Sequence, residues 1–262
     1  MLFDMDTSQI TAVLITYNEE PNIARTLSAI AWVDRIVVID SGSTDATLEI
    51  LGSTPKVEVY HRTFDTMALQ WNFGLSKVQT EWVLSLDADY RVSAELRDEI
   101  VALPEQPTDD GFMIPFRYCI AGKALRGSIL PPRCALFRRS KSSYYDDGHT
   151  QRLRVDGSTG VLKSYLFHDD RKPLSRWLAS QDRYMRLEAE KLLTTPACEL
   201  NFADRLRRWI VVTPAVVPLH CLIAKGCILD GWHGVYYSWQ RMLAEVLLAL
   251  RLVEKMRKVE NE

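Results

Sequence analysis

The sequence predicts an α/β fold with a mostly parallel sheet flanked by helices, followed by a helical C-terminal extension. Three observations lead to this prediction. Short apolar runs alternate with helical segments over residues 10–90, which is the order of a parallel sheet with right-handed crossovers. Polar and acidic residues directly follow three of these runs. From Pro173 onward the spacing of apolar residues is mostly helical.

Four short apolar runs are predicted to form the parallel strands. They cover residues 10–15, 35–39, 57–60 and 83–86. Helices are predicted from Pro21 to residue 30, at 46–51 and at 67–78. Asn18 or Glu19 is expected to cap the first helix, since proline suits a first helical turn.

After Asp89 the pattern becomes mixed. A helix is expected at 94–103, followed by strands at 111–116, 135–138 and 161–167. Residues 142–150 are rich in polar and aromatic side chains, and they are expected to form a loop.

Asp87-Ala88-Asp89 directly follows the fourth apolar run. Open α/β sheets bind ligands at the carboxyl ends of their strands, so both carboxylates are expected in that crevice. Mg²⁺ and Mn²⁺ prefer carboxylate oxygens and often complete their shell with phosphates. Taken alone, the tripeptide is more simply a solvated turn. Acidic residues after the first and second runs, Glu19 and Asp40, favour a metal–diphosphate site.

Charge is divided unevenly along the chain. Residues 1–170 carry 17 basic and 24 acidic side chains, a net charge of −7, whereas residues 171–262 carry 15 and 10, a net charge of +5. The acidic part suits a bound cation, and the basic part suits anionic lipid or phosphate. No recognised motif for reading bases accompanies the basic residues, so nucleic acid is not expected as a partner.

The cysteines and the chain start indicate a cytoplasmic location. Five cysteines, an odd number without metal-like spacing, predict reduced thiols. The acidic start does not resemble a signal peptide. The longest apolar stretch, residues 209–224, contains two prolines and is shorter than the roughly 20 residues of a spanning helix.

Several segments together resemble a known family. They are Thr16-Tyr17-Asn18-Glu19-Glu20, Asp40-Ser41-Gly42-Ser43-Thr44-Asp45-Ala46-Thr47, Gln70-Trp71-Asn72-Phe73-Gly74-Leu75 and Asp87-Ala88-Asp89. In this order they resemble the signature segments of family 2 glycosyltransferases with the GT-A fold, nearest to the bacterial lipopolysaccharide-core glucosyltransferase-like branch. The resemblance is close over residues 10–90 and looser to about residue 172.

The resemblance implies a role for each matching residue. Thr16, Tyr17 and Glu19 are expected to line the nucleotide pocket. Asp40 is expected to accept a hydrogen bond from the base, commonly uracil, with a turn or helix cap as the alternative. Ser43 is expected to shape the turn that follows.

A divalent metal, Mn²⁺ or Mg²⁺, is the cofactor that the resemblance implies. Asp89 is expected to bind it directly, and Asp87 to approach the ribose or a metal-bound water. His168 matches a histidine that reaches the metal in this fold, although a plain turn is the alternative. Asn72 is expected to support the sugar or the site loop, with a helix-surface role equally open.

The acceptor hydroxyl needs a general base, and many relatives supply a glutamate just after a histidine. This chain has Thr150 and Gln151 there, and neither side chain is a carboxylate. We therefore predict Asp147 as the base, with Asp146 second and His149 third. A turn role for Asp147 stays open.

The predicted function is inverting transfer of a sugar from a nucleotide-diphosphate donor, with UDP as the expected nucleotide. The acceptor is expected to be a saccharide or lipid-linked component of bacterial envelope polysaccharide or lipopolysaccharide. Residues 7–172 are the expected catalytic domain. Residues 173–262 are expected to contact the inner face of the cytoplasmic membrane peripherally, because basic side chains there adjoin aromatic and apolar ones.

Two other classes of protein are alternatives to this function. A nucleotidyltransferase would show a Gly-rich, basic loop after the first strand, and residues 16–20 are neither. A scaffold that binds the nucleotide sugar without turnover is favoured only by the missing glutamate at Thr150 and Gln151.

Overall fold

The main sheet has seven strands among residues 4–147 and 150–259, which the computed structural model describes. In sheet order they are β12 (Thr159–Val161), β6 (Gly111–Ile114), β9 (Arg133–Arg138), β4 (Trp82–Asp87), β1 (Ile10–Thr16), β2 (Arg35–Asp40) and β3 (Val57–His61). β9 runs antiparallel to β4 and β6, and the other neighbours are parallel. The predicted α/β fold with a mostly parallel sheet is therefore confirmed.

Helices connect the parallel strands, and their starts follow from local sequence. They are α1 (Ile23–Ala29), α2 (Thr47–Gly52) and α3 (Met67–Lys77), with α4 (Ala94–Val101) after β4. The Thr66 hydroxyl caps α3 by accepting a hydrogen bond from the Leu69 amide, and Ser93 caps α4 in the same way. A Cβ on Gly74 would lie 2.8 Å from Val13 Cγ1, so α3 approaches the sheet more closely than other residues allow.

Alternate residues of the central strands point to opposite faces of the sheet and build two apolar layers. Leu14 and Val38 belong to one layer. Val13 and Val37 belong to the other, which also holds the fully buried Trp71 of α3. Because both faces are covered, the strands are continuous apolar runs rather than alternating ones.

A smaller sheet contains β5 (Tyr90–Val92), β13 (Leu166–His168) and β7 (Phe116–Ile120) in that order. β13 is antiparallel to β5 and parallel to β7. This register pairs His168 with Tyr90 on one side and Tyr118 on the other. Separately, β10 (Ser142–Asp147) and β11 (Thr150–Val155) form a two-stranded sheet.

The chain divides into two compact units. The first comprises the described residues up to Cys119 together with Leu130–Asp146 and Gln151–Arg171. The second comprises Ile120–Ile129, Asp147, Thr150 and the described chain from Lys172 onward. Its elements are β8 (Lys123–Ala124), α5 (Leu174–Thr194), α6 (Phe202–Arg207), α7 (Val212–Leu219) and α8 (Trp232–Val259). The predicted helical C-terminal region is confirmed.

A buried ionic network stabilises the second unit. The Arg207 guanidinium lies 3.0 Å from Glu245 Oε1, 3.1 Å from Asp204 Oδ1 and 3.9 Å from Glu188 Oε1. These carboxylates are buried, so removal of the arginine would leave uncompensated charge inside the helices. None of the helices in the described part of the chain is both long and apolar enough to cross a membrane.

Two strand predictions are wrong in their bounds. Residues 161–167 are not one strand, since β12 and β13 belong to different sheets. The Glu99 carboxylate accepts hydrogen bonds of 2.8 Å from the amides of Lys163 and Ser164, which draws this segment away from the sheet. The run at 111–116 is interrupted at Pro115, which has no N–H to donate.

Two predictions about loops are also wrong. The segment 142–150 contains all of β10 and the start of β11 instead of being one loop. The first helix begins at Ile23 rather than Pro21, and its cap residue, Asn22, makes no side-chain capping bond. Asn18 instead accepts a 2.6 Å hydrogen bond from the Thr44 amide, so its side chain joins two loops.

Candidate active site

Three strands deliver polar residues to the same edge of the main sheet. In the parallel register, Thr16 pairs with Asp40, and Ile15 pairs with Asp87. The carboxyl ends of β1, β2 and β4 therefore finish level with one another. This is the edge at which α/β proteins bind their ligands.

Asp40 is fully buried, and its carboxylate organises the turn after β2. Oδ1 accepts hydrogen bonds of 2.9 Å from the amides of Gly42 and Ser43. Oδ2 accepts one of 2.9 Å from the Thr16 hydroxyl and one of 2.5 Å from the Ser43 hydroxyl. These are the contacts of a turn cap, the alternative role for Asp40, and its contact with the nucleotide base stays a prediction.

The loop after β1 is joined to the turn after β2 by its backbone. The Asn18 amide donates to the Ser43 hydroxyl at 2.8 Å, and the Glu19 amide donates to the Thr47 hydroxyl at 2.7 Å. Asn18 adopts a left-handed conformation with φ of 55°. Beside it, Tyr17 is half exposed, as a ring that contacts a nucleotide would be. The two loops are thus joined by hydrogen bonds, and together they contain Thr16, Tyr17, Glu19 and Ser43.

Asp87 ends β4 and is held by a residue that the sequence did not reveal. Its Oδ2 accepts a 3.0 Å hydrogen bond from Arg133 Nη1, at the start of β9. Its Oδ1 is buried and has no hydrogen-bond partner in the described structure. One carboxylate oxygen is therefore occupied by the protein, and the other is left for a ligand.

Asp89 and His168 are in direct contact. Nε2 of the imidazole lies 3.1 Å from Oδ2 of the carboxylate. The ring packs edge-on against Tyr90 and Tyr118, with centroids 5.4 Å and 4.6 Å away. Burial lowers the pKa of His168, but the Asp89 carboxylate outweighs it, and the pKa lies above its ordinary value.

The oxygen and nitrogen donors of this pair fit a divalent cation. Mn²⁺ accepts both carboxylate and imidazole, and the partnerless Oδ1 of Asp87 would add another oxygen. Nδ1 of His168 is also buried without a hydrogen-bond partner in the described structure. No group of three or more His, Cys, Asp or Glu side chains forms a ready-made metal site within residues 4–147 and 150–259.

A second network ties the His168 end of β13 to the loop after β1. The buried Asp169 carboxylate accepts hydrogen bonds from Arg25 at 2.6 Å and from Arg171 at 2.8 Å, and its amide donates to the Asp89 carbonyl at 3.0 Å. Asn22 Nδ2 donates to Glu19 at 3.0 Å and to Asp170 at 2.9 Å. The nucleotide loop and the candidate metal ligands are thus parts of one hydrogen-bonded assembly.

The Asn72 side chain lies against β10 rather than on an open helix surface. Its Nδ2 donates to the Tyr144 carbonyl at 2.8 Å, and its Oδ1 accepts from the Tyr144 amide at 2.9 Å. Tyr144 also stacks on Trp71, with ring centroids 5.3 Å apart, and its hydroxyl donates a 2.8 Å hydrogen bond to the Ser85 hydroxyl. These contacts join α3 to β10, and the expected roles of Asn72 in supporting the sugar or the site loop stay predictions.

The three candidate bases differ in surroundings. Asp146 Oδ1 accepts a 2.9 Å hydrogen bond from the Ala68 amide at the start of α3. Asp147 Oδ1 lies 3.0 Å from Lys191 Nζ on α5, in the second unit. Burial lowers the pKa of Lys191, but the hydrogen bond to Asp147 raises it further, so the lysine is charged. His149 lies outside the described residues.

Sequence reasoning missed three residues of this site: Arg133, Gln151 as a contact, and Asp169. Arg133 stands two residues before a predicted strand, and nothing in its surroundings marks it as polar and buried. Its partners lie 46 and 43 residues away along the chain, so no local spacing could have found them. For Asp169, the run His168-Asp169-Asp170 was a signal, but it did not indicate which acid turns inward.

Residues 11–168 match the family model described as Glycosyl transferase family 2. The chain belongs to this family. The matched residues extend from β1 to His168 and therefore include the strand ends that carry the candidate site residues. The expected family is therefore confirmed.

Curated relatives of this family 2 glycosyltransferase are of two kinds. An uncharacterized glycosyltransferase of Rickettsia typhi is 37% identical over 93 residues, which are 35% of this chain and 32% of the relative. The chain thus matches about a third of the length of this relative. The lipopolysaccharide core biosynthesis glycosyltransferase LpsC of Rhizobium meliloti is 29% identical over 258 residues, covering 94% of this chain and 92% of LpsC.

Solved structures support the GT-A fold of this family 2 glycosyltransferase. The crystal structure of S. aureus TarS 1-349 in complex with UDP-GlcNAc aligns with a TM-score of 0.50 and 15% identity. The alignment covers 96% of this chain and 92% of the TarS chain. At this identity the likeness bears on the fold alone.

Proposed function

We propose that the protein transfers a sugar from a nucleotide-diphosphate donor, with UDP as the nucleotide, and inverts the anomeric carbon. The observation that carries this proposal is the Asp89–His168 pair, 3.1 Å apart, at the sheet edge where Asp87 and the Asp40 turn also lie. Carboxylate and imidazole at a ligand-binding edge suit a cation that neutralises a diphosphate.

Asp89 and His168 would hold the divalent metal, and Asp87 would present its free Oδ1 to the ribose or to the metal's water. When bound, the metal supplies Lewis-acid stabilisation of the departing diphosphate. The joined loops after β1 and β2 would hold the nucleotide, with Tyr17 against the base. These residues sit in a preformed network, so little reorganisation is needed when the donor binds.

The acceptor hydroxyl would attack the anomeric carbon directly. The new carbon–oxygen bond forms as the bond to the diphosphate breaks, and the hydroxyl proton passes to a carboxylate. We keep Asp147 as this base, because Asp146 already caps α3 through the Ala68 amide. Lys191 favours the ionised carboxylate that a base requires. General-base catalysis of this kind contributes about 10²–10⁴-fold to a rate.

The proposed acceptor is a saccharide or lipid-linked component of the bacterial envelope. LpsC, the relative that aligns over most of its length, is described as a lipopolysaccharide core glycosyltransferase. Residues 7–172 are the proposed catalytic domain, and residues 173–262 the proposed extension. The rival nucleotidyltransferase lacks support, because the loop after β1 is neither glycine-rich nor basic.

The extension is proposed to contact the inner face of the cytoplasmic membrane. Within residues 202–232, large apolar side chains are highly exposed. They include Phe202 at 80%, Trp209 at 67%, Val211 at 77%, Ile223 at 73%, Leu229 at 67% and Trp232 at 60%. Asp204 and Asp230 are buried in this segment, whereas Arg205 and Lys225 are exposed. Apolar and aromatic groups with exposed positive charge suit an anionic lipid surface.

Consumption of UDP-sugars in the presence of Mn²⁺ tests the catalytic proposal. Wild type should release UDP from at least one donor of a panel, and Asp89→Ala should slow this release by about 10²–10³-fold. The Lys163→Ala variant, outside the site, should match wild type. If a folded wild type binds UDP but releases none from any donor, with or without envelope saccharides, the scaffold alternative is correct.

A further inference from the structure

Arg133 lies at the donor edge and contacts groups from three other strands. Nη1 donates to Asp87 Oδ2 at 3.0 Å and to the Tyr90 hydroxyl at 3.3 Å. In the amide orientation that satisfies its neighbours, Gln151 accepts 2.7 Å and 3.0 Å hydrogen bonds from Arg133 Nη2 and Trp71 Nε1. The guanidinium is therefore fixed in the plane that faces Asp87.

Two aromatic rings hold the same guanidinium by its faces. Cζ of Arg133 lies 5.7 Å from the centre of the Trp71 ring and 5.9 Å from that of Tyr90. Stacking of this kind attracts the cation without using its N–H groups. The hydrogen bonds above engage three of the five N–H groups that an arginine carries, and about a fifth of the side chain stays exposed.

The positive charge of Arg133 is only partly balanced by its contacts. Asp87 is ionic, whereas Tyr90, Gln151 and Trp71 are neutral. Burial lowers the pKa of Arg133, but the Asp87 carboxylate and other contacts raise the pKa by more than burial lowers it. The guanidinium is therefore charged at any physiological pH. A fixed cation with N–H groups to spare thus stands beside the carboxylate whose Oδ1 awaits a ligand.

We propose that Arg133 binds the diphosphate of the nucleotide donor and shares its charge with the metal. This inference rests on the proposed function. The diphosphate is the anionic part that every such donor carries, and planar guanidinium groups recognise phosphate oxygens in pairs. Asp87 fixes the direction of the guanidinium, and the negative charge that grows on the diphosphate during transfer meets a cation already in place.

The test compares UDP with uridine, because uridine lacks the diphosphate. Calorimetric binding of both to the full chain would be measured in EDTA and in Mn²⁺, for wild type, Arg133→Lys and Arg133→Met. Arg133→Met keeps the apolar stem but removes the charge. We expect it to weaken UDP binding about 10- to 100-fold, more in EDTA than in Mn²⁺, and to leave uridine binding unchanged. Arg133→Lys should recover part of the loss.

Two outcomes would overturn the inference. Equal losses for UDP and uridine would show that Arg133 merely supports Asp87 and the ribose side. Unchanged UDP binding in a folded Arg133→Met protein would remove Arg133 from the donor site altogether. Failure of the proposed function is a different result, since wild type itself would then bind no nucleotide in either condition, or would bind UDP and release none from any donor. Circular dichroism of each variant establishes that it is folded.

Discussion

His168 at the end of β13 faces Asp89 in the turn between β4 and β5, with Nε2 and Oδ2 3.1 Å apart. The two residues are 79 positions apart in the chain, and the amide of the next residue, Asp169, bonds back to the Asp89 carbonyl. The pair is therefore fixed by backbone as well as by side chains. A metal ion between them would replace one hydrogen bond by two coordination bonds.

Loss of His168 should weaken metal binding without unfolding the protein. We expect His168→Ala to bind Mn²⁺ at least about tenfold more weakly, and Asp89→Ala to lose about 10²–10³-fold in kcat. Mn²⁺ titration followed by electron paramagnetic resonance measures the first effect directly. His220→Ala, which alters an exposed histidine of the second unit, is the control. Unchanged Mn²⁺ affinity in His168→Ala would exclude the imidazole as a ligand.

Asp40 should matter to stability before it matters to catalysis. Its carboxylate satisfies two amides and two hydroxyls in a buried turn, so Asp40→Ala leaves these donors without partners. We expect the free energy of unfolding to fall by about 3 kcal/mol or more, measured by urea denaturation. Asp34→Ala, at a more exposed aspartate before β2, should change it little. Similar losses in the two variants would contradict the capping role.

Substitution of Asp146 should affect stability, whereas substitution of Asp147 should affect catalysis. Asp146→Asn weakens the contact with the Ala68 amide and is expected to lower the melting temperature while kcat is largely kept. Asp147→Asn removes the proposed base and is expected to reduce kcat by about 10²–10⁴-fold with little change in melting temperature. Steady-state kinetics and thermal unfolding of both variants measure this difference. If Asp146→Asn instead reduces kcat and Asp147→Asn does not, Asp146 is the base.

Glu58 should contribute stability that depends on pH. The hydrogen bonds from Arg35 lower the pKa of Glu58 below the ordinary 4.5, although burial acts in the opposite direction. A carboxyl with a lowered folded-state pKa stabilises the fold above its unfolded-state pKa, and this stability is lost as pH falls through the folded-state pKa. Because the pair is partly exposed, we expect Glu58→Gln to cost less than about 1 kcal/mol at pH 7.

Thermal unfolding of wild type and Glu58→Gln between pH 3 and 7 measures this contribution. The gap in melting temperature should be largest above the ordinary pKa of 4.5 and should close as the pH falls through the lowered folded-state pKa of Glu58. Glu105→Gln changes an exposed glutamate and serves as the control. A gap that is constant with pH would mean that the substitution acts through packing rather than charge.

Membrane binding should depend on the exposed tryptophans of the second unit. The double variant Trp209→Ser with Trp232→Ser should pellet less with vesicles that contain anionic lipid at low salt, by about tenfold in partition coefficient. Phe64→Ser, at an exposed ring of the first unit, is the control. Vesicle binding that depends neither on the two tryptophans nor on the lipid charge would contradict the proposal.

The parallel sheet was predictable because its strands are local signals. Runs such as residues 10–15 and 35–39 are apolar on both faces and end in acids, and both properties follow from burial under helices. The carboxyl-edge position of Asp40 and Asp87 follows from parallel order alone. The position of these two acids could therefore be predicted without knowledge of side-chain contacts.

The rest of the site depends on contacts that sequence spacing does not encode. Arg133 reaches Asp87 only because β9 returns antiparallel beside β4, and an apolar run does not state its direction. The strand at 142–147 looked like a loop because its polar residues gave no alternation that a sheet would need. Its order comes from the Asn72 side chain instead.

Asn72 contacts Tyr144 as a neighbouring strand would, through one donor and one acceptor. Helix α3 therefore sets the register of β10, and the two acids at the tip of that strand inherit their position from the helix. Trp71 of α3 also donates to Gln151, which contacts Arg133 of the proposed donor site, so the same helix supports residues of both proposed substrate sites. We expect substitutions in α3 to change the Michaelis constants for donor and acceptor together, because a shift of this helix would displace residues of both proposed sites.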